Sequence, residues 1–151
     1  MATIHKEISI AAPADQVWDA VRDVGSIHKR LVPGLVANTQ LEEGARVVTF
    51  ANGLVIRERF VTIDDENRRF AYSATGGNAT HHNSSVQVFA EGKGSRLVWI
   101  TDLLPDSVAP LVNGLVEQGS AIIKATLERG AGRGTRDAGR GTRDDDLTPN
   151  T

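Results

Sequence analysis

Three side chains suggest acid–base chemistry: Glu58 in VIRERFVTI (residues 55–63), Tyr72 in RRFAYSAT and His81 in HHNSSVQVFA. In a strand, alternate residues face opposite sides. That rule groups Ile56, Glu58, Phe60 and Thr62 on one face and Val55, Arg57, Arg59 and Val61 on the other. Two arginines place the second set in water, so Glu58 points inward between Ile56 and Phe60. A carboxylate on an apolar face is costly unless water or a partner meets it. If the three side chains converge at a pocket mouth, Glu58 can take a proton from an enolisable substrate while Tyr72 or His81 polarises a carbonyl. Glu58 can instead pair with a buried arginine, sit at the sheet rim, or hydrogen-bond to Tyr72, water or a ligand without turnover.

Other chemistries find little support. The four histidines include the neighbours His81 and His82, which on a strand point to opposite faces and cannot share a metal. No HxH, HExxH or GxSxG spacing occurs, and there are no cysteines for disulfides, thiolate catalysis or thiolate zinc sites. GKG at 92–94 reads as a hairpin turn, and Trp18 and Trp99 as packing residues. Neither metal nor cofactor is expected. A net charge of -2 gives no electrostatic footprint for nucleic acid. No apolar run approaches the roughly 20 residues of a membrane span, and the N-terminus lacks a secretory apolar region. The expectation is a cytoplasmic protein without membrane insertion.

The elements that must position these groups follow from periodicity and turns. A strand is expected at about 3–10, then a helix over AAPADQVWDAVRD, begun at Pro13 and ended at Gly25, with a short turn at SIHKRL. Strands follow at about 35–41, 45–51, 55–63, 68–75, 81–91 and 95–103, separated by EEG, NG, DDEN, GGN and EGKG turns. Pro105 closes the last strand, and Asp106 or Ser107 caps a long helix. The fold class is therefore α+β: an antiparallel meander with one face covered by the C-terminal helix. Residues 1–129 form the domain, and 130–151, with AGRGTRD repeated at 131–137 and 138–144, form a disordered Gly/Arg/Asp tail.

On the helix, Leu111, Val112, Leu115, Val116, Ile122 and Ile123 share one arc, opposite Glu117, Lys124 and Glu128. Gly119 and Thr126 fall near the arc's centre. Glycine in a helix interior costs about 1 kcal/mol relative to alanine, so a compensation is expected. Either a strand or bulky side chain approaches closely, or a ligand cavity lies beneath. Polar and small residues on the inner sheet face favour the cavity. Its apolar wall would be Phe50, Leu54, Ile56, Phe60, Val86, Leu115 and Ile122. Glu58, Tyr72, Ser84 and Thr126 would supply polar handles, with Ala74 and Gly119 giving room. Phe89, on the opposite face from Ser84, Val86 and Val88, is the residue at odds with this assignment.

The element order, opened by KEISIAAPADQVWDAVRD, resembles the START-related helix-grip (SRPBCC) superfamily, which includes polyketide cyclase/dehydrase and lipid-transport proteins. The resemblance covers residues 3–129. It implies a curved seven-stranded antiparallel sheet gripping a long C-terminal helix around an apolar cavity. RERFVTIDDENRRFAYSATGGNATHHNSSV, NGL and SAIIKATLE are also similar to the plant abscisic acid receptors, a likeness that places Glu58, Tyr72, Ser84, Ile122 and Thr126 on ligand-facing positions. Their latch is missing, the gate loop is shorter, and VPGLVAN lacks their anchoring lysine. The resemblance implies a pocket protein with gate-like loops at 51–55 and 76–82. The expected partner is a small hydrophobic ligand, with catalysis as cyclase or isomerase and protein interaction through the loops as alternatives. Oligomeric state is left open, a homodimer included.

Overall fold

The computed structural model describes residues 2–140. Seven antiparallel strands form one sheet in the order β1-β7-β6-β5-β4-β3-β2. They are β1 (Ala2–Ile10), β2 (Val36–Glu42), β3 (Ala45–Phe50), β4 (Val55–Asp64), β5 (Arg69–Thr75), β6 (His81–Glu91) and β7 (Gly94–Leu104). Strands β2 to β7 are a hairpin-linked meander, as the turn chemistry predicts. β1 closes the far end on β7, with Ile4 opposite Thr101 and Ile8 opposite Leu97. α1 (Ala14–Arg22) and α2 (Ile27–Arg30) follow β1, and a short 3-10 turn leads into α3 (Ala109–Arg140). α3 continues past the expected domain limit at residue 129, and residues 141–151 of the expected tail lie outside the described residues.

Alternation sorts the sheet faces as expected. Ile56 and Glu58 are buried while Val55, Arg57 and Arg59 are exposed. Phe70, Tyr72 and Ala74 are buried on β5, and Ser84 and Val88 on β6. Phe89 does face outward, where the Arg96 guanidinium lies 4.7 Å from its ring centroid. The stem of a long cation thus covers part of an exposed aromatic.

α1 buries Val17, Trp18 and Val21. Its tryptophan has a polar contact as well as packing. Trp18 Nε1 donates to Asp65 Oδ1 at 2.9 Å, and Arg22 Nε donates to the same oxygen at 2.6 Å. The β4–β5 turn therefore fastens α1 to the end of the sheet.

α3 crosses the concave face beside β1. Glu117, Lys124 and Glu128 hold the edge of β1: Lys6 Nζ donates to Glu117 Oε1 at 2.7 Å, Lys124 Nζ to the Ser9 carbonyl at 2.6 Å, and the Ala11 amide to Glu128 Oε2 at 2.8 Å. The last two satisfy backbone groups along and just beyond an edge that lacks a strand partner. They also set the rotation of the helix. The buried residues are Val116, Gly119, Ser120, Ile123 and Leu127, a face turned by roughly 60° from the expected arc at 100° per residue. Leu111, expected on the packed face, is 60% exposed.

At Gly119 the close-packing alternative is realised. An added Cβ would meet Trp99 Cζ3 at 3.4 Å and Leu35 Cδ2 at 3.5 Å. That is ordinary contact, so alanine fits and larger side chains collide with the indole. Gly119→Ala is expected to keep or raise stability, by up to about 1 kcal/mol, in urea unfolding. Gly119→Leu is expected to lower it by about 1–3 kcal/mol through overpacking.

Candidate functional site

Because α3 stands off from the sheet, an apolar cavity of about 200 Å³ remains between them, closed at one end by α2 and the following loop. Val48, Ile56 and Phe70 line its sheet side, Leu115, Val116 and Ile123 its helix side, and Leu54, Gly76 and Gly77 its loop end. Its titratable lining groups are Arg46, Glu58, Tyr72 and His82.

Register explains the polar cluster. The β3–β4 hairpin sets Arg46 opposite Glu58, and the β4–β5 ladder sets Glu58 opposite Ala74. Both charged residues are buried, and Arg46 Nε donates to Glu58 Oε1 at 2.7 Å. Arg46 Nη1 donates to the Val24 carbonyl at 3.2 Å. The guanidinium lies 5.0 Å from the Phe70 ring centroid and 5.4 Å from that of Tyr72, and those rings stack on each other at 5.4 Å. Of the alternatives for Glu58, pairing with a buried arginine is therefore the one adopted. Burial, and then the Glu58 carboxylate, push the Tyr72 phenol upward, while Arg46 and the neighbouring Ser84 and Trp99 side chains pull it down without reversing the shift. The phenol stays protonated through the neutral range. Burial, and then the charge of His81, hold the His82 imidazole below its ordinary 6.5.

Of the residues expected at the site, Phe50, Leu54, Ile56, Glu58, Tyr72, Val86 and Leu115 line the cavity. Phe60, Ala74, Ser84, Gly119, Ile122 and Thr126 do not, for separate reasons. Phe60 packs edge-on against Phe70 at 5.6 Å. Ala74 is a short side chain buried beside Glu58. The Ser84 hydroxyl shares a 2.8 Å hydrogen bond with that of Thr101. Gly119 is screened by Trp99 and Leu35. Ile122 packs against the core, and the buried Thr126 hydroxyl finds no hydrogen-bond partner among the described residues. His81 requires a correction: Ser84 and Val86 face inward, so the same parity carries His82 to the cavity and His81 to the other face. The proposed convergence of Glu58, Tyr72 and His81 does not form.

Arg46 was not among the expected site residues, although its signal is present. In ARVVTF it alternates with Val48 and Phe50, and a hairpin about residue 52 pairs it with Glu58. Trp99 and His82 also line the cavity outside the expected set.

The sequence matches the family described as polyketide cyclase / dehydrase and lipid transport over residues 1–134. A search of curated proteins finds no significant match. Solved structures that share the architecture include the following three. The protein XoxI from Bacillus cereus has a TM-score of 0.76 at 22% identity, over 85% of this chain and 97% of its own. The Zhui aromatase/cyclase from Streptomyces sp. R1128 has 0.70 at 20%, over 91% and 98%. A norcoclaurine synthase point mutant from Thalictrum flavum, solved with a transition-state analogue, has 0.61 at 22%, over 83% and 93%. At these identities the likeness is one of fold.

Removing one partner of a buried ion pair strands the other charge. Glu58→Ala is therefore expected to cost about 3–5 kcal/mol, measured by urea unfolding. The double change Arg46→Met with Glu58→Leu should recover most of that loss. For His82 the folded value lies below the unfolded one, so its contribution is complete above 6.5 and is lost as pH falls beneath it. Thermal melts of His82→Gln should lose less stability than wild type between neutral pH and the carboxylate range. Below 4.5, where Lys124 and the Ala11 amide keep Glu128 ionised in the folded state, both proteins should decline together.

Proposed function

The chain belongs to the polyketide cyclase / dehydrase and lipid transport family, and on that premise we propose that it binds a small apolar or amphipathic molecule, of lipid, polyketide or isoprenoid type, under its C-terminal helix. The observation that carries this reading is the apolar-walled space of about 200 Å³ with a compact polar cluster on one side. Apolar lining supplies affinity by removing ligand surface from water, and a few fixed polar groups supply orientation. Leu111, mostly exposed at the cavity's helix side, gives an apolar ligand a greasy approach.

Family membership also favours a second reading, a cyclase or isomerase with Glu58 as general base. The 2.7 Å contact from Arg46 opposes it, since Glu58 is already engaged through Oε1 in a buried ion pair and is not a free base facing the cavity. Tyr72 remains suited to donate a hydrogen bond to a carbonyl. Binding without turnover is the preferred reading.

The test is native mass spectrometry of freshly purified protein, together with titration of Nile red, an uncharged dye that brightens in apolar surroundings. A retained small molecule or saturable dye binding is expected. Leu115→Trp, which places a larger side chain in the cavity from a half-buried helix position, should weaken dye binding about tenfold or more with an unchanged circular dichroism spectrum. Equal binding by the variant would place the dye elsewhere and remove the support for this site.

A further inference from the structure

The charge state of the cavity says which ligands it accepts. Its titratable lining consists of one cation, one anion, one phenol and one imidazole: Arg46, Glu58, Tyr72 and His82. The cation and the anion already satisfy each other at 2.7 Å, with both side chains nearly inaccessible to solvent. The cation is further committed to the Val24 carbonyl and to the faces of Phe70 and Tyr72. Burial keeps the phenol protonated and the imidazole unprotonated at neutral pH. Among the described residues that line the cavity, no unpaired charge is left to meet an ionised ligand.

A ligand carboxylate would have to share Arg46 with Glu58 or displace it, and in either case two carboxylates face one buried guanidinium. A ligand ammonium would have to share Glu58 with Arg46 or take it away, and in either case two cations face one buried carboxylate. Either way the buried cluster carries one charge without a counter-charge, a strongly unfavourable state.

We propose that the cavity selects uncharged molecules, excluding carboxylates and ammonium ions of the same size and shape. The inference rests on the ligand-binding reading above and sharpens it: the occupant is a neutral ketone, alcohol, ester or hydrocarbon, and an ionised fatty acid is refused. The polar end of such a ligand can meet His82 and Asn78, which line the cavity near the loop end.

The experiment compares three naphthalenes of like shape against the full chain at about pH 7.5, where the acid and the amine are both ionised: 2-acetylnaphthalene, 2-naphthoate and 2-(aminomethyl)naphthalene. Each is titrated as a competitor of Nile red. The ketone is expected to bind about tenfold or more tightly than either ion. In Glu58→Gln, whose amide oxygen still accepts from Arg46 but carries no charge, the naphthoate should gain at least about tenfold relative to the ketone. An ion that matches or exceeds the ketone on the unaltered protein overturns the inference and leaves the ligand-binding reading intact. If neither Nile red nor any naphthalene binds, the ligand-binding reading fails and the inference falls with it. The wild-type comparison decides the matter even if Glu58→Gln does not fold.

Discussion

The buried pair of Arg46 and Glu58 is the constraint around which the concave face is arranged. An arginine and a glutamate inside an apolar sheet face are tolerable only if each neutralises the other and the spare donors find acceptors. Neighbouring residues serve that need. Ala74, opposite Glu58, is small, Phe70 and Tyr72 stack under the guanidinium, and the Val24 carbonyl takes a further hydrogen bond. A side-chain volume that a continuous aliphatic core would have filled is instead occupied by a planar, charged group with fixed partners. The polar cluster and the adjacent void belong to one arrangement.

The second determinant is the way α3 is held. Its polar residues do not simply face water; Glu117, Lys124 and Glu128 grip the free edge of β1. That grip fixes the helix at the margin of the concave face. Part of its apolar arc then packs into the core through Val116, Ile123 and Leu127, while Leu111 and Leu115 look across the cavity. Gly119 contributes at one remove: it admits the Trp99 indole toward the helix, and that indole in turn lines the cavity. No described helix is long and apolar enough to cross a membrane.

Much of the fold was legible from periodicity and turn chemistry. The seven strands, the helices after β1 and the long C-terminal helix all lie where alternation, proline and glycine placed them, because those signals are local and the sheet has one wet face. The inward direction of Glu58, Tyr72, Ser84 and Val86 was readable for the same reason. The site was less legible. Phe60, Ser84 and Thr126 face the right way yet stand behind other side chains or are tied to neighbours. His81 and His82 could be separated only by counting parity along β6 from Ser84. Arg46 is masked in the sequence because its neighbours Ala45 and Val47 blur the alternation that marks it.

The amino-acid sequence by itself determined which residues alternate inward, where the chain turns, and that a glycine-bearing amphipathic helix must cover one sheet. Those properties depend on backbone geometry and on near neighbours in the chain. The tertiary structure alone decided which inward residues reach the cavity, that Glu58 is paired rather than free, and how far α3 is rotated. These depend on ladder register and on contacts between residues as distant as Lys6 and Glu117. Such contacts carry no periodic trace in the sequence, because each is fixed by where two separately folded elements meet in space.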